Sequence, residues 1–264
     1  MYKIITPVLT IALVIMSCSN HTVLSRSKNY KTQNVMYQYG IVDALLAGVF
    51  DGYLSISELR KKGGFGLGTF NRADGELIAF NDTVYKVAYD GSVHRIANSD
   101  STPFAMVKYF SADTVIFISG NNNYDNIQQR LKNYLNANSM YAIRMSGVYS
   151  KMTARAAAPG VKPYPTLGDL LKTNQNLFNF TNINGDCIGF FMPPYMARTN
   201  VPGFHFHFLS TDKTSGGHVF AFTTERLRIE IDEIETFVVE NSKHPDFKKV
   251  NLAQDRSAEL KRIE

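Results

Sequence analysis

Three of the six histidines lie close together in the chain, at His205, His207 and His218. Because successive side chains of a β-strand point to opposite faces, His205 and His207 would share one face of a strand and lie about 7 Å apart along it. The other face would carry the residues that alternate with them, Phe204, Phe206 and Phe208. This spacing predicts a strand with one apolar face and one face that can bind a metal ion.

The residues between His207 and His218 favour a chain reversal. The segment from Ser210 to Gly217 is rich in Ser, Thr, Asp and Gly and ends in a Gly-Gly pair, which is typical of a turn between strands. His218 would then begin the returning strand and approach the first two histidines. Three neutral nitrogen ligands leave one coordination position of a zinc ion open, as in catalytic zinc sites. The spacing alone leaves a second interpretation open, a half-exposed strand with incidental histidines.

Residues 1–18 have the composition of an export signal. Lys3 precedes an apolar run from Ile4 to Met16, which is shorter than the roughly 20 residues needed to cross a bilayer as a helix. Ile15-Met16-Ser17-Cys18 resembles the lipobox of bacterial lipoproteins, in which cleavage before the cysteine leaves it as a lipid-modified amino terminus. We therefore expect a lipoprotein-type signal peptide, with an ordinary signal peptide and a chance cysteine as the alternative.

The remaining sequence predicts a polar tether followed by one folded region. Residues 19–34 are polar and basic, which is typical of a flexible segment, and residues 35–264 would form the catalytic domain. Without Cys18, Cys187 has no partner for an intrachain disulfide, and we expect it to be a small buried side chain. The formal net charge is only +5 and the basic residues are scattered, so the sequence gives no support for nucleic-acid binding.

The patterns in the folded region predict a mixture of strands and helices. Apolar residues spaced by three and four predict a helix over 36–50, and a capping box at Ser55 predicts a second, short helix. Short runs joined by turn dipeptides predict an antiparallel meander over 65–89. Later segments predict strands at 115–119, 140–149, 186–192 and 226–239, helices at 124–135 and 166–173, and a loop at 154–165. We therefore expect an α+β fold of mostly antiparallel or mixed β-sheets with a few helices, as one domain or two packed subdomains.

Several motifs stand in a fixed order along this region. They are Tyr37-Gln-Tyr-Gly-Ile-Val-Asp-Ala-Leu-Leu-Ala-Gly-Val-Phe-Asp-Gly52, Gly64-Phe-Gly-Leu-Gly-Thr-Phe-Asn71, Asp74-Gly-Glu-Leu-Ile78, Thr102-Pro-Phe104, Gly203-Phe-His-Phe-His-Phe208 and Gly216-Gly-His218. With these motifs the chain resembles the α-acetolactate decarboxylase family, from about Tyr37 to Glu264. The resemblance implies conversion of acetolactate (2-hydroxy-2-methyl-3-oxobutanoate) into acetoin and carbon dioxide, with Zn2+ and no organic cofactor.

The resemblance also implies which residues form the site. They are His205, His207 and His218 as zinc ligands, Thr69 and Glu76 from the glycine-rich motif, Arg155 as the cation, and Glu264 as a second carboxylate. Loss of carbon dioxide from a β-keto acid leaves an electron pair, which a Lewis acid stabilises and a carboxylic acid then protonates. Arg144 remains an alternative to Arg155, and Glu259 an alternative to Glu264.

Two other functions fit part of the sequence. A cupin-type metalloenzyme also places His-x-His on a strand, but it expects a glutamate four or five residues later, where this chain has Thr211 and Asp212. A non-enzymatic lipoprotein that binds zinc or a small ligand would keep the histidines without needing Glu76, Arg155 and Glu264 together. An assay for acetoin distinguishes both from a decarboxylase.

The sequence also suggests where the protein acts. Lipidation of Cys18 would anchor it to a membrane of a bacterial cell envelope, and without the lipid it would be secreted. Apart from the membrane, the only partner that we expect is the small-molecule substrate. The sequence leaves the oligomeric state open, and a homodimer is one alternative. His21, His94 and His244 lack a partner pattern, and we expect them to be exposed.

Overall fold

The computed structural model describes residues 34–264, so the expected signal peptide and nearly all of the tether lie outside the described residues. β-Strands dominate this region. The strands are β1 (Val35–Tyr39), β2 (Leu54–Ser55), β3 (Phe65–Thr69), β4 (Glu76–Phe80), β5 (Thr83–Val87), β6 (Val93–Arg95), β7 (Ser101–Thr102), β8 (Phe104–Lys108), β9 (Thr114–Asn123), β10 (Met140–Ala157), β11 (Gln175–Met192), β12 (Gly203–Ser210), β13 (Gly216–Ile234) and β14 (Thr236–Glu240). The helices are α1 (Val42–Leu46), α2 (Ile56–Arg60), α3 (Tyr124–Leu131), α4 (Leu167–Thr173), α5 (Pro245–Lys249) and α6 (Ser257–Ile263).

Two large sheets form the body of the molecule. The first has the strand order β14-β1-β8-β3-β4-β5-β6 and is antiparallel except for the parallel pair β1 and β14. The second has the order β10-β11-β12-β13-β9, and β10 also pairs with β13, which closes four strands into a ring. Strands β2 and β7 form a separate short pair. The predicted α+β fold with antiparallel and mixed sheets is confirmed.

The main apolar core lies between the two sheets. Leu67 and Ile78 of the first sheet belong to the same buried cluster as Phe190 of the second. Alternate residues of the first sheet, such as Leu77, face a separate cluster that includes α2, and the face of the second sheet that points away from the first packs on Ile127 of α3. Both sheets therefore bury both faces, and one shared core holds them together.

A buried ion pair also joins the sheets. Nζ of Lys108, on β8, lies 2.5 Å from Oδ2 of Asp232, on β13, and both side chains are almost fully buried. The same carboxylate oxygen accepts a hydrogen bond of 2.7 Å from the backbone N–H of Ser111. This pair fixes the end of β8 against the longest strand of the second sheet.

Helix capping follows the sequence closely. The Ser55 hydroxyl accepts from the Glu58 N–H at the start of α2, as the capping box predicts. Asn123 and Thr166 cap α3 and α4 in the same way.

The meander over 65–89 is confirmed as β3, β4 and β5, which pair antiparallel in order.

Two predictions of local structure were wrong. The predicted helix over 36–50 is a strand, β1, up to Tyr39, and only Val42–Leu46 is helical. Its first residues pair with β8 and β14, partners that lie far along the chain and leave no local signal. The predicted loop over 154–165 begins as strand, because β10 pairs with β11 as far as Ala157. Among residues 34–264, no helix is long and apolar enough to span a membrane.

Candidate active site

Strands β12 and β13 bring the three histidines together. His207 lies directly opposite His218 in the antiparallel register, and His205 precedes His207 by two residues on the same face. Phe206 and Phe208 point to the other face and join the core cluster of the second sheet. The alternation predicted for β12 is therefore confirmed, and its histidine face points towards the first sheet.

The Gly-Gly pair allows the returning strand to approach closely. Gly217 has a φ of +141°, and a Cβ atom added there would lie 2.5 Å from the carbonyl oxygen of Arg155 on β10. Any larger residue would push β13 away from β10 just before His218. Asp212, in the turn, accepts hydrogen bonds from the Ser210 hydroxyl and the Thr214 N–H and does not line the histidine cavity. The structure thus places no cupin-type carboxylate after the second histidine.

The three imidazoles are buried and their ring centres lie 4.9–5.5 Å apart. One nitrogen from each lies within 4.8 Å of the others. Nε2 of His205 and Nδ1 of His218 are 3.2 Å apart. Two nitrogens bound to one tetrahedral zinc ion at 2.0–2.1 Å would be separated by about 3.3 Å. The spacing of this pair therefore suits a shared metal ion.

The protonation of the histidines also fits a metal site. Nδ1 of His207 lies 2.9 Å from the carbonyl oxygen of Leu77 and can donate to it, which leaves Nε2 as a lone-pair donor. Nδ1 of His205 is buried without a hydrogen-bond partner among residues 34–264. Burial lowers the pKa of His205 to about 3, with a smaller contribution from Arg155, and it lowers the pKa values of His207 and His218 well below the usual range. Neutral imidazoles are the form that binds zinc.

Glu76, the first residue of β4, borders the histidines from the opposite sheet. Its Oε2 lies 3.4 Å from Nε2 of His207, and the residue is buried. Burial raises its pKa to about 7, opposed by the positive charge of Arg155. Thr69 is the register partner of Glu76 on β3, and its hydroxyl donates to the Gly75 carbonyl at 2.8 Å. Thr69 therefore fixes the backbone that leads into Glu76.

Helix α6 delivers the second carboxylate, Glu264. Oε2 of Glu264 lies 3.7 Å from Nε2 of His218 and 3.9 Å from Nε2 of His205. Leu260 and Ile263 anchor the helix in the core shared by the two sheets. Burial raises the pKa of Glu264 to about 7, again opposed by Arg155.

Arg155 lies on β10, directly opposite His218 on β13, and not in the predicted loop. The residue is only 5% exposed and its side chain lines the same cavity as the histidines. The guanidinium of Arg144 instead forms ion pairs with Asp186 and Glu230 and lies outside that cavity. The geometry therefore favours Arg155 as the cation of the site.

Glu259, the alternative to Glu264, makes hydrogen bonds that connect two helices. Its carboxylate accepts from the Gly168 N–H at 3.1 Å and from Nη1 of Arg256 at 2.9 Å. It thereby joins α4 to α6 and does not line the histidine cavity.

The cavity that collects these groups has a volume of about 60 Å³. One water molecule needs roughly 10–15 Å³, so the space suits a ligand with a small number of heavy atoms. Sequence reasoning did not predict its apolar wall, because those residues come from several separate elements and have no common motif. They are Val42, Leu45, Ala73, Phe104, Ala157, Leu167, Leu171, Val201 and Leu260.

The remaining histidines and Cys187 lie elsewhere. Cys187 is fully buried, as predicted, and His94 is exposed. His244 is only partly exposed, contrary to the prediction, because it caps α5 and packs on Tyr53. His244 lies near two aspartates, but Lys162 and Tyr164 already bind the carboxylate of Asp51. His21 is outside the described residues.

Comparison with known proteins gives a consistent result. The alpha-acetolactate decarboxylase family model matches residues 36–254. The alpha-acetolactate decarboxylase of Methanosarcina mazei is 34% identical over 232 residues, which cover 88% of this chain and 80% of the relative. That of Bacillus subtilis is 34% identical over 235 residues, covering 89% and 92%. The crystal structure of alpha-acetolactate decarboxylase from Bacillus subtilis strain 168 superposes with a TM-score of 0.83 at 33% identity, covering 86% of this chain and 97% of the other.

Proposed function

The chain belongs to the alpha-acetolactate decarboxylase family, and from that premise we propose that its histidine cavity converts 2-acetolactate into acetoin and carbon dioxide with the help of a bound zinc ion. The observation that carries the proposal is the position of two carboxyl groups and one guanidinium around three neutral imidazoles in a single small cavity. This arrangement suits a decarboxylating lyase, and a protein that only stores zinc does not need it.

His205, His207 and His218 would hold the zinc ion. Their neutral nitrogens, their burial and their spacing match what zinc requires of protein ligands. When bound, the ion would supply positive charge where negative charge develops on substrate oxygen as carbon dioxide leaves. The carbonyl of Leu77 orients the ring of His207, so the first sheet takes part in shaping the ligand set.

Arg155 would hold the carboxylate that leaves. A guanidinium stays protonated at all physiological pH values and can make two parallel hydrogen bonds to a carboxylate. Its burial beside the histidines places that charge within the cavity and limits its access to water. Arg155 would therefore orient the bond that breaks, and release of neutral carbon dioxide would end the interaction.

Glu76 and Glu264 would manage the proton that completes the reaction. When the carbon–carbon bond breaks, its electron pair remains on the substrate carbon, and a carboxylic acid must donate a proton to that carbon to give acetoin. The resulting carboxylate regains a proton from solvent, so one proton is consumed in each turnover. Burial raises the pKa of both groups towards neutrality, which suits them to proton exchange. The two carboxyls lie near different histidines, Glu76 beside His207 and Glu264 beside His218.

Acetoin production by the purified protein tests the proposal. We expect the protein to form acetoin from 2-acetolactate, to lose this activity after dialysis against a chelator, and to regain it when zinc is added. Metal analysis of the same samples should show activity and zinc content changing together.

Two results would contradict parts of this assignment. Full turnover by metal-free protein would exclude a role for zinc. Stoichiometric zinc without any acetoin would support the alternative, a zinc-binding protein that is not an enzyme.

A further inference from the structure

The buried guanidinium of Arg155 makes its direct contacts with neutral groups, although its charge also acts on the nearby carboxyls of Glu76 and Glu264. Nη1 donates a hydrogen bond of 3.4 Å to the side-chain carbonyl oxygen of Gln175, and the guanidinium carbon lies 4.9 Å from the ring centre of Phe220. Nε has no hydrogen-bond partner, and among residues 34–264 no carboxylate forms an ion pair with this side chain. The direct contacts of this guanidinium, which is 5% exposed, are therefore an amide and an aromatic ring, and the carboxyls of Glu76 and Glu264 act on it without forming an ion pair.

Arg144 shows the opposite arrangement on the same strand. Its guanidinium bonds the carboxylates of Asp186 and Glu230 at 2.9 and 3.2 Å, and these negative charges offset its own. Arg144 therefore has little remaining attraction for another anion, whereas the charge of Arg155 remains available.

The two neighbours of Arg155 come from the strands on either side of it. Gln175 begins β11 and lies diagonally across from Arg155, whose direct partner there is Leu177. Phe220 follows His218 by two residues on β13 and shares its face, and the two rings lie 5.5 Å apart. The ring of Phe220 therefore contacts both the cation and a proposed metal ligand.

We propose that Gln175 and Phe220 are positioning residues that hold Arg155 at the cavity without neutralising it, so that the site selects an anionic substrate. This inference rests on the proposed function, since it gives Arg155 the role of binding the substrate carboxylate. An amide oxygen accepts a hydrogen bond without carrying a negative charge. The face of an aromatic ring attracts a cation through its quadrupole, and it is also uncharged. A glutamate at position 175 would have nearly the same shape but would offset the charge that the substrate needs.

Calorimetric binding of two small ligands to the zinc-loaded protein tests this inference. The first is 2-hydroxy-2-methylpropanoate, which carries the carboxylate, and the second is acetoin, which is neutral. In Gln175→Glu we expect the dissociation constant of the carboxylate to rise at least about tenfold, as for loss of a charge-assisted contact, while that of acetoin stays within about twofold. Zinc content and melting temperature should match those of the wild type.

Two sets of variants act as controls. Asn179→Asp adds the same charge on β11, roughly 13 Å along the strand from position 175, and it keeps the acceptor for the Thr153 hydroxyl. We expect it to bind both ligands like the wild type. Phe220→Tyr keeps the ring and should keep carboxylate binding, whereas Phe220→Leu should weaken it about three- to tenfold through loss of the cation–π contact.

Unchanged carboxylate binding in Gln175→Glu would overturn the inference, and so would equal weakening of both ligands, which indicates a purely structural role. Failure of the proposed function would look different. The wild type would then make no acetoin, while the calorimetric comparison would still report whether the charge of Arg155 is available to an anion.

Discussion

At the scale of single residues, the proposed function assigns metal binding and proton transfer to different side chains. Three imidazoles are buried and neutral, whereas Glu76 and Glu264 are carboxyls whose pKa values lie near 7 because of burial. Glu264 lies beside His205 and His218, and Glu76 lies beside His207. Substitution of one carboxyl can therefore test proton transfer while leaving the histidines intact.

Replacement of Glu264 by Gln should slow the reaction without unfolding the protein. The amide keeps the size of the side chain but cannot donate a carboxylic proton, and positioned general acids typically contribute 10²–10⁴ to the rate. We expect kcat for acetoin formation to fall at least about tenfold, measured by steady-state kinetics at saturating zinc. Glu259→Gln is the matched control, because its carbonyl oxygen can still accept from the Gly168 N–H, and it should retain most of the activity. A wild-type rate in Glu264→Gln would remove this residue from the proposed chemistry.

Single residues differed in how well the sequence predicted them. The position of His205 and His207 on one face followed from the alternation of side chains along a β-strand alone. The partnership of Arg155 with His218 depends on the register between β10 and β13, which no local pattern encodes. Gln175 and Phe220 belong to no motif, and only the assembled sheet reveals that they contact Arg155.

At the scale of elements, helices with a strong local signal at their start were predicted correctly. A strand whose partners lie far along the chain was not. Helices that begin with a side-chain cap at Ser55, Asn123 or Thr166 were predicted close to their observed starts. Strand β1 was misread as helix because its partners are β8 and the distant β14. Helices α5 and α6 were not predicted, so the sequence alone gave no physical reason for Glu264 to reach the histidines.

The buried pair between β8 and β13 predicts a large loss of stability on removal of one partner. Lys108→Met would leave the Asp232 carboxylate buried without its cation, and breaking a buried pair typically costs about 3–5 kcal/mol. We expect the free energy of unfolding in urea at neutral pH to fall by about that amount. The double variant Lys108→Met, Asp232→Asn should recover part of it, because it leaves no uncompensated charge. Equal stability of Lys108→Met and wild type would show that the pair does not hold the sheets together.

At the scale of the whole molecule, the site draws on both sheets and on the last helix. The histidines come from one hairpin of the second sheet, Glu76 from the first sheet, and Glu264 from the residue that follows α6. A ligand that binds this assembled site in the folded chain, and not in the unfolded chain, should therefore stabilise the entire fold.

Zinc should therefore raise the melting temperature of the protein. Binding to the folded state alone at about 100 times the dissociation constant contributes about 2.7 kcal/mol, which corresponds to about 5–10 °C for a domain of this size. We expect this shift in calorimetric scans of metal-free protein after addition of zinc. His205→Ala should lose the shift together with the activity, whereas His94→Ala, which alters an exposed histidine, should keep it. A zinc effect that persists in His205→Ala would indicate a different binding site.

The hairpin that carries all three histidines has a further consequence for the order of assembly. His205 and His218 are only thirteen positions apart in the chain, so their meeting requires closure of a short loop, which is fast. Glu76 precedes the hairpin by more than a hundred positions and Glu264 is the last residue of the chain, and contacts of long sequence separation slow folding. A newly made chain should therefore form the histidine hairpin before the two carboxyls reach it, and catalytic competence would report that folding is complete.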